Sequence, residues 1–317
     1  MDYKQVFESL KLDFPSSKVF IDQPLGQYTT LKIGGPADIF INTQNTEEFV
    51  NILKYIYDLR STIELTILGN GSNVLISDSG IRGIVIKNDS QEIENIGDNK
   101  IKISSGTQLI SALNFLADNN LSGLEEFAYI PSTIGGAIVG NIHGFDKNNF
   151  SSILESIEVF DLNKSTISTL QSKDLAWSYD QSIFQANPNL IIVSAVLVLK
   201  SGEKETIKKT AQEIIEIKLN SQLMNSAGCA FKNLPEAKCM LIWGEKKSTG
   251  QIIDQDLNLK SYCVGNAQVS PLHANFIINN GNATAKDYLG LVNLIQSQMQ
   301  TKYGFQFELE IKLLGQF

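Results

Sequence analysis

The stretch "LGNGSNVL", residues 68–75, decides how the fold is read. A short run of strand-forming residues leads into it and another leads out, with Gly69, Asn70, Gly71, Ser72 and Asn73 between them. Small residues in such a turn let backbone N–H groups come close to a ligand, and concavities of this kind suit phosphate oxygens. The spacing is not the dinucleotide fingerprint, which needs GxGxxG opening a helix. It is not a Walker A loop either, because no Gly-Lys-Ser/Thr follows. Taken alone, the stretch also reads as a tight hairpin. A second small-residue turn, "AYIPSTIGGAIVGN" (128–141), reads either as a helix start facing a pyrophosphate or as a close packing of two segments at Gly135 and Gly136. Two such turns in one chain strengthen the ligand reading of both.

The surrounding pattern is mixed. "YTTLKIGGPADIFINT" (28–43) predicts strand, turn and strand. "TEEFVNILKYIYDLR" (46–60) places Phe49, Leu53 and Ile56 on one helical face. A helix capped near Thr107, strands at 156–162 and 189–202, and a helix at 205–219 follow. The span 284–304 predicts a helix with a capping box at Thr284 and Asp287 and a stripe of Tyr288, Leu291, Val292, Ile295 and Met299. The final "FQFELEIKLLGQF" alternates as a strand, with Glu308, Glu310 and Lys312 on one face. Strands and helices lack a regular βαβ rhythm, so the fold class expected is α+β rather than a doubly wound sheet.

Composition excludes several functions. Lys+Arg is 26 and Asp+Glu 34, a net charge of −8, which disfavours non-specific binding to nucleic acid. Arginine occurs only at Arg60 and Arg82, so lysine carries nearly all the positive charge. Cys229, Cys239 and Cys263 form neither CxxC nor a zinc pattern, which predicts no metal site and a reducing, cytoplasmic setting. The first residues contain acids and lack the basic start and apolar run of a signal peptide. No apolar run reaches about 18 residues, so no membrane span is expected.

Seven stretches in order resemble one family: "YTTLKIGGPAD", "ILGNGSNVLISD", "GLEEFAYIPSTIGGAIVGN", "SYDQSIF", "SAGCAFKN", "IIDQDLNLKSYCVGNAQVSPLHANFIINNGNATAKD" and "FELEIKLLG". Together they resemble the MurB, or UDP-N-acetylenolpyruvoylglucosamine reductase, family of peptidoglycan synthesis. The likeness runs from about residue 20 onward, and the lack of a long insertion between 200 and 220 is similar to the shorter of the family's two forms. The resemblance implies a two-lobed FAD-binding fold of the vanillyl-alcohol-oxidase type, at 1–88 and 89–203. A C-terminal α+β substrate domain would span 204–317, its last strand returning to the first lobe.

The same resemblance implies FAD and NADPH as cofactors, a UDP-sugar substrate, and a monomer as the favoured state. NADPH would reduce the flavin, hydride would pass to C3 of the enolpyruvyl group, and an acid would protonate C2 to give UDP-N-acetylmuramate. Position by position, Gly69, Asn70, Gly71, Ser72, Asn73, Ile130, Pro131, Ser132, Gly135, Gly136 and Asn141 would hold FAD. Cys229 would be the proton donor, where the family usually has serine, and Glu310 would assist at the developing enolate. Tyr179, Lys218, Asn233, His273, Asn275 and Lys312 would contact the substrate.

The chemistry agrees with those residue types. Hydride addition at C3 builds charge on C2 and the carboxylate, so the site needs positive charge or hydrogen-bond donors there and an acid within reach of C2. A thiol with an ordinary pKa of about 8.5 is mostly protonated near neutrality and is a stronger acid than a serine hydroxyl. Without the family likeness, Cys229 reads as a small packed hydrophobe among Ala227, Gly228 and Ala230.

One departure stands out. "WSYDQSIF" (177–184) puts Asp180 where the family motif Tyr-Arg-x-Ser has a charge-stabilising arginine. A carboxylate aimed at a developing anion would oppose the reaction. Three readings are open. Lys173, Lys218 or Lys312 replaces the arginine; Asp180 points elsewhere and caps a turn; or the partner is a different UDP-sugar, with a flavin- or UDP-sugar-binding protein without turnover as the further alternative. Asn233-Leu234 and Ser132 also depart from the usual pattern, and His143 stands where a small residue is usual and reads as a surface or core histidine.

Overall fold

The computed structural model describes residues 3–59, 63–220 and 225–317, so Arg60 lies outside the described residues. The chain divides into two compact units. The first comprises 1–21, 38–70 and 83–218, and the second comprises 22–37, 71–82 and 219–317. Segments 22–37 and 71–82, expected in the first lobe, therefore belong to the second unit.

The first unit has two cores. In one, helices Tyr3–Asp13 and Thr46–Asp58 cover a sheet ordered Lys18–Pro24, Pro36–Thr43, Ile81–Asn88, Leu65–Leu68. Asn45 starts the second of these helices by accepting the Glu48 amide at 2.8 Å, and Phe49, Leu53 and Ile56 are buried on its inner face as their spacing predicts. The other core lies on a five-stranded antiparallel sheet ordered Thr166–Gln171, Leu154–Asp161, Leu190–Val198, Lys100–Ser104, Ile93–Gly97. Helices Leu109–Asp118 and Ile134–Gly140 contribute Leu113, Leu116, Ile134 and Ile138 to it. Thr107 does not cap the first of these helices. Its buried hydroxyl meets Ser104 Oγ at 2.9 Å, and the helix begins after Gln108 with no side-chain cap.

Two sequence expectations fail for clear reasons. Residues 28–33 form no strand, because a 3-10 turn at Gly26–Tyr28 and positive φ at Lys32 (56°) and Gly34 (151°) break any ladder. The 68–75 turn is not a hairpin. Leu65–Leu68 runs parallel to Ile81–Asn88, with Leu65 opposite Ile84, whereas Val74–Ile76 runs parallel to Lys312–Leu314. Hairpin strands must be antiparallel to each other.

The second unit packs helix Ala285–Tyr303 against a sheet ordered Ser226–Cys229, Phe276–Asn279, Ala267–Val269, Cys263–Val264. Tyr288, Leu291, Val292, Ile295 and Met299 are all buried, and the capping box of Thr284 and Asp287 is formed in both directions. Asp78 adds a second cap, accepting the amides of Ala285 at 2.8 Å and Lys286 at 3.0 Å. The C-terminal stretch is a strand only at Lys312–Leu314. At Phe307 the Gln296 side chain takes both backbone groups, each at 2.8 Å, in place of a neighbouring strand. Phe307 and Ile311 are still buried while Glu308 and Lys312 are exposed, so the alternation holds, but Leu313 is exposed. No helix among the described residues is long and apolar enough to cross a membrane.

The capping box makes a testable contribution. Thr284→Ala should lower stability by about 1 kcal/mol, read as a reduced melting temperature. The Thr284 amide holds the Asp287 carboxyl below its ordinary range. That stabilisation is therefore present above the unfolded pKa of about 3.9 and is lost as pH falls through the lower folded value. Asp287→Asn should flatten this part of the acid limb of a melting-temperature profile.

Candidate active site

In the first unit the two glycine-rich turns come together. A Cβ on Gly69 would sit 2.8 Å from Thr133 Oγ1, and one on Gly136 would sit 2.7 Å from Ser132 Oγ. The lack of a Cβ at Gly69 lets its backbone pack against the Thr133 side chain, and at Gly136 it leaves room for the Ser132 hydroxyl. The first amides of the 134–140 helix are used inside the protein. Ile134 N–H donates to Thr107 O and Gly135 N–H to Ser105 O, both at 2.8 Å, and Gly136 N–H donates to Thr133 Oγ1 at 3.2 Å. These helix amides therefore do not face a pyrophosphate as the sequence suggests. The glycines at 69 and 136 serve the close packing of the turns, the other reading the sequence allows.

Asn141 closes that helix in the left-handed region (φ 41°) and is fully buried. Its Nδ2 donates to Ser178 O at 2.7 Å and its Oδ1 accepts the Ser151 amide at 3.1 Å. It thereby ties the Tyr179–Asp180 turn to the glycine cradle. Asp180 itself has φ 53° and meets His143 Nδ1 at 2.8 Å through Oδ1. The other ring nitrogen of His143 lies 3.1 Å from the Tyr179 hydroxyl, and the two rings stack at 4.7 Å. The carboxylate that replaces the motif arginine is thus engaged by a histidine 37 positions earlier. Lys218 lies over the rings of Tyr129 at 4.5 Å and Phe145 at 5.5 Å.

In the second unit Gly71 (φ 58°) turns the loop; a Cβ there would sit 2.5 Å from Tyr28 O. Asn73 is stitched to the last segment: its carbonyl accepts the Lys312 amide at 3.1 Å, and its Nδ2 donates to Glu310 O at 3.4 Å. Cys229 ends the Ser226–Cys229 strand opposite Phe276, after a register irregularity at which Gly228 takes φ 76°. The next residue, Ala230, donates to Asn275 O at 2.7 Å and accepts the Glu310 amide at 2.9 Å. Cys229 and Glu310 are therefore neighbours across adjoining backbones, although 81 positions separate them in the chain.

Buried Asn275 uses its whole side chain on Phe231, accepting its amide at 3.1 Å and donating to its carbonyl at 2.7 Å. His273 Nδ1 accepts the Asn275 amide at 3.3 Å, and Asn233 Oδ1 accepts the Thr249 amide at 3.0 Å. Lys232 pairs with Glu308, so the exposed face of the last segment is partly neutralised.

Glycine cradle and cofactor-binding segment together define a flavoprotein: residues 37–170 match the FAD binding domain family, and the protein is an FAD-dependent oxidoreductase. Residues 205–314 match the family described as UDP-N-acetylenolpyruvoylglucosamine reductase, C-terminal domain. A relative of that name from Caldanaerobacter subterraneus subsp. tengcongensis is 34% identical over 98% of this chain and 98% of its own. Another from Halalkalibacterium halodurans is 34% identical over 99% of each chain. The crystal structure of MurB from Thermus caldophilus aligns with a TM-score of 0.74 at 31% identity, covering 94% of this chain and 99% of that one. The chain belongs to the UDP-N-acetylenolpyruvoylglucosamine reductase family.

Sequence reasoning missed the partnership of His143 with Asp180. Both positions stand out as departures from the family pattern, and two departures of opposite charge potential are the signal that they pair. Asn141→Ala should destabilise the protein by about 1–3 kcal/mol for each backbone group left unpaired. It should also speed amide exchange at Ser178–Gln181, measured by mass spectrometry, more than in the five-stranded sheet.

Proposed function

We propose that the protein reduces UDP-N-acetylenolpyruvoylglucosamine to UDP-N-acetylmuramate, with Cys229 as the acid at C2 and Glu310 assisting at the developing enolate. Bound FAD, reduced by NADPH, supplies the hydride that reaches C3. Gly69, Asn70, Gly71, Ser72, Asn73, Ile130, Pro131, Ser132, Gly135 and Gly136 hold the cofactor, and Asn141 positions the turn beside them. Tyr179, Lys218, Asn233, His273 and Lys312 contact the UDP-sugar. Asn275 serves as a positioning residue, because both ends of its carboxamide are committed to Phe231.

The observation that supports the chemical assignment is the hydrogen bond from Glu310 N–H to Ala230 O, which runs the segment bearing Glu310 alongside the residue that follows Cys229. Proton delivery by a positioned side chain contributes about 10²–10⁴-fold to such a step. Asp180 is turned to His143, which supports the reading that it is not aimed at the substrate anion. In this reading the first unit carries the flavin lobes and the C-terminal part of the second unit the substrate domain. The setting is cytoplasmic, the protein a monomer, and its partners small molecules rather than nucleic acid or membrane.

Anaerobic mixing separates the two half-reactions. Cys229→Ala should slow flavin reoxidation by the enolpyruvyl substrate by about 10²-fold or more while flavin reduction by NADPH keeps its rate. Cys229→Ser, which restores a hydroxyl donor, should recover much of the loss. Unchanged reoxidation in the alanine variant would remove Cys229 from the role.

A further inference from the structure

The turn that carries Tyr179 and Asp180 is held more firmly than its exposure suggests. Tyr179 is 56% exposed, so burial does not fix its ring. The backbone of the turn is closed by an antiparallel bridge between Ser178 and Gln181, and Ser178 Oγ donates to Gln181 Oε1 at 3.0 Å. Gln185 Nε2 donates to Asp180 O at 3.1 Å. Asp180 itself lies in the left-handed region (φ 53°), which a residue with a Cβ keeps only when its surroundings hold it there.

His143 supplies the restraint on the side chains. Its own backbone is set by a bridge to Asn149, flanked by Gly144 N–H to Asn148 O and Phe150 N–H to Ile142 O, both at 2.8 Å. From there one imidazole reaches both side chains of the turn. Nδ1 lies 2.8 Å from Asp180 Oδ1, Nε2 lies 3.1 Å from the Tyr179 hydroxyl, and the two rings stack at 4.7 Å. A carboxylate can only accept, so Nδ1 carries the N–H of the first bond. That bond sets the orientation of the imidazole and turns its Nε2 edge to the phenol, as outer carboxylates do for working histidines.

We propose that His143 is a positioning residue for substrate binding: oriented by Asp180, it holds the Tyr179 phenol in the direction in which that phenol meets the UDP-sugar. This rests on the reading that Tyr179 contacts the substrate. An exposed tyrosine without such restraints gives up rotamer freedom when a ligand arrives, whereas one already held does not. The carboxylate at the motif-arginine position then favours binding through the histidine, although its charge taken alone would oppose an anionic ligand.

Calorimetry measures the binding of UDP-N-acetylenolpyruvoylglucosamine to the full-length, oxidised, FAD-loaded protein without NADPH. His143→Ala should weaken binding by about threefold to tenfold, the effect of releasing one ordered side chain. Tyr179→Ala should weaken it at least as much, and adding His143→Ala to that variant should cost nothing further, because the histidine acts through the phenol. Losses that multiply overturn the inference. Asp180→Asn tolerates the left-handed backbone and removes the charge. It should weaken binding by about threefold, as a charge-assisted hydrogen bond becomes a neutral one. Tighter binding would mean that the carboxylate faces the ligand, and overturns the inference.

In reoxidation of the reduced flavin by substrate, the His143→Ala loss should appear as a higher half-saturating concentration with the saturated rate kept. A lower saturated rate at unchanged half-saturation overturns the inference. Asn141 carries the backbone of the turn, so the melting temperature of His143→Ala should stay near that of the wild type. A large drop would make the histidine structural only and overturns the inference as well. If Tyr179→Ala weakens binding and His143→Ala does not, the inference fails while the contact by Tyr179 stands. If Tyr179→Ala binds as the wild type does, that contact has failed and the inference falls with it.

Discussion

The path of the chain just after Cys229 depends on the carboxamide of Asn275. Buried and bonded at both ends to the backbone of Phe231, it continues the pairing past the end of the Ser226–Cys229 strand. A backbone amide and carbonyl buried without partners would be expensive, so the local path of the chain is held wherever Asn275 is held. Ala230 is fixed by the same segment on one side and by Glu310 on the other. The backbone around Cys229 and Glu310 is thus held by the hydrogen bonds of Ala230 to Asn275 O and of Glu310 N–H to Ala230 O.

The first unit follows a different logic. Its cradle is made by absence of side chains: Gly69 faces Thr133 and Gly136 faces Ser132 at distances no Cβ would tolerate. Asn141, again a buried asparagine with both ends occupied, links this cradle to the turn bearing Tyr179 and Asp180. His143 then takes the carboxylate of Asp180, so a charge that would oppose an anion is directed to an imidazole. The two departures from the family motif, Asp180 and His143, thus meet in one hydrogen bond.

Periodicity made several elements legible. The stripe from Tyr288 to Met299 and the capping box at Thr284 and Asp287 both appear in the structure, because they rest on interactions within a few residues of one another. The face shared by Phe49, Leu53 and Ile56 is buried for the same reason. The strand expected at 28–33 failed because positive φ at Lys32 and Gly34 is set by the folded surroundings, which local propensity does not report. The alternation of the last segment was right about burial at Phe307 and Ile311. It was silent about Gln296, a helix residue that takes the place of a neighbouring strand.

By itself, the sequence determined the family, the α+β class, the flavin-type turns and the residue types the chemistry needs, since each is a pattern of neighbours or a motif in order. Tertiary structure alone decided what the patterns meant in space. It parted the two strands around residues 69–73 into different pairings, and it spent the amides of the 134–140 helix inside the protein. It paired Asp180 with His143, set Glu310 beside Ala230, and left the Tyr288 hydroxyl without a partner. These outcomes rest on contacts between residues tens to hundreds of positions apart, and their geometry follows from close packing and from satisfying buried backbone groups, neither of which is a property of any short stretch of chain.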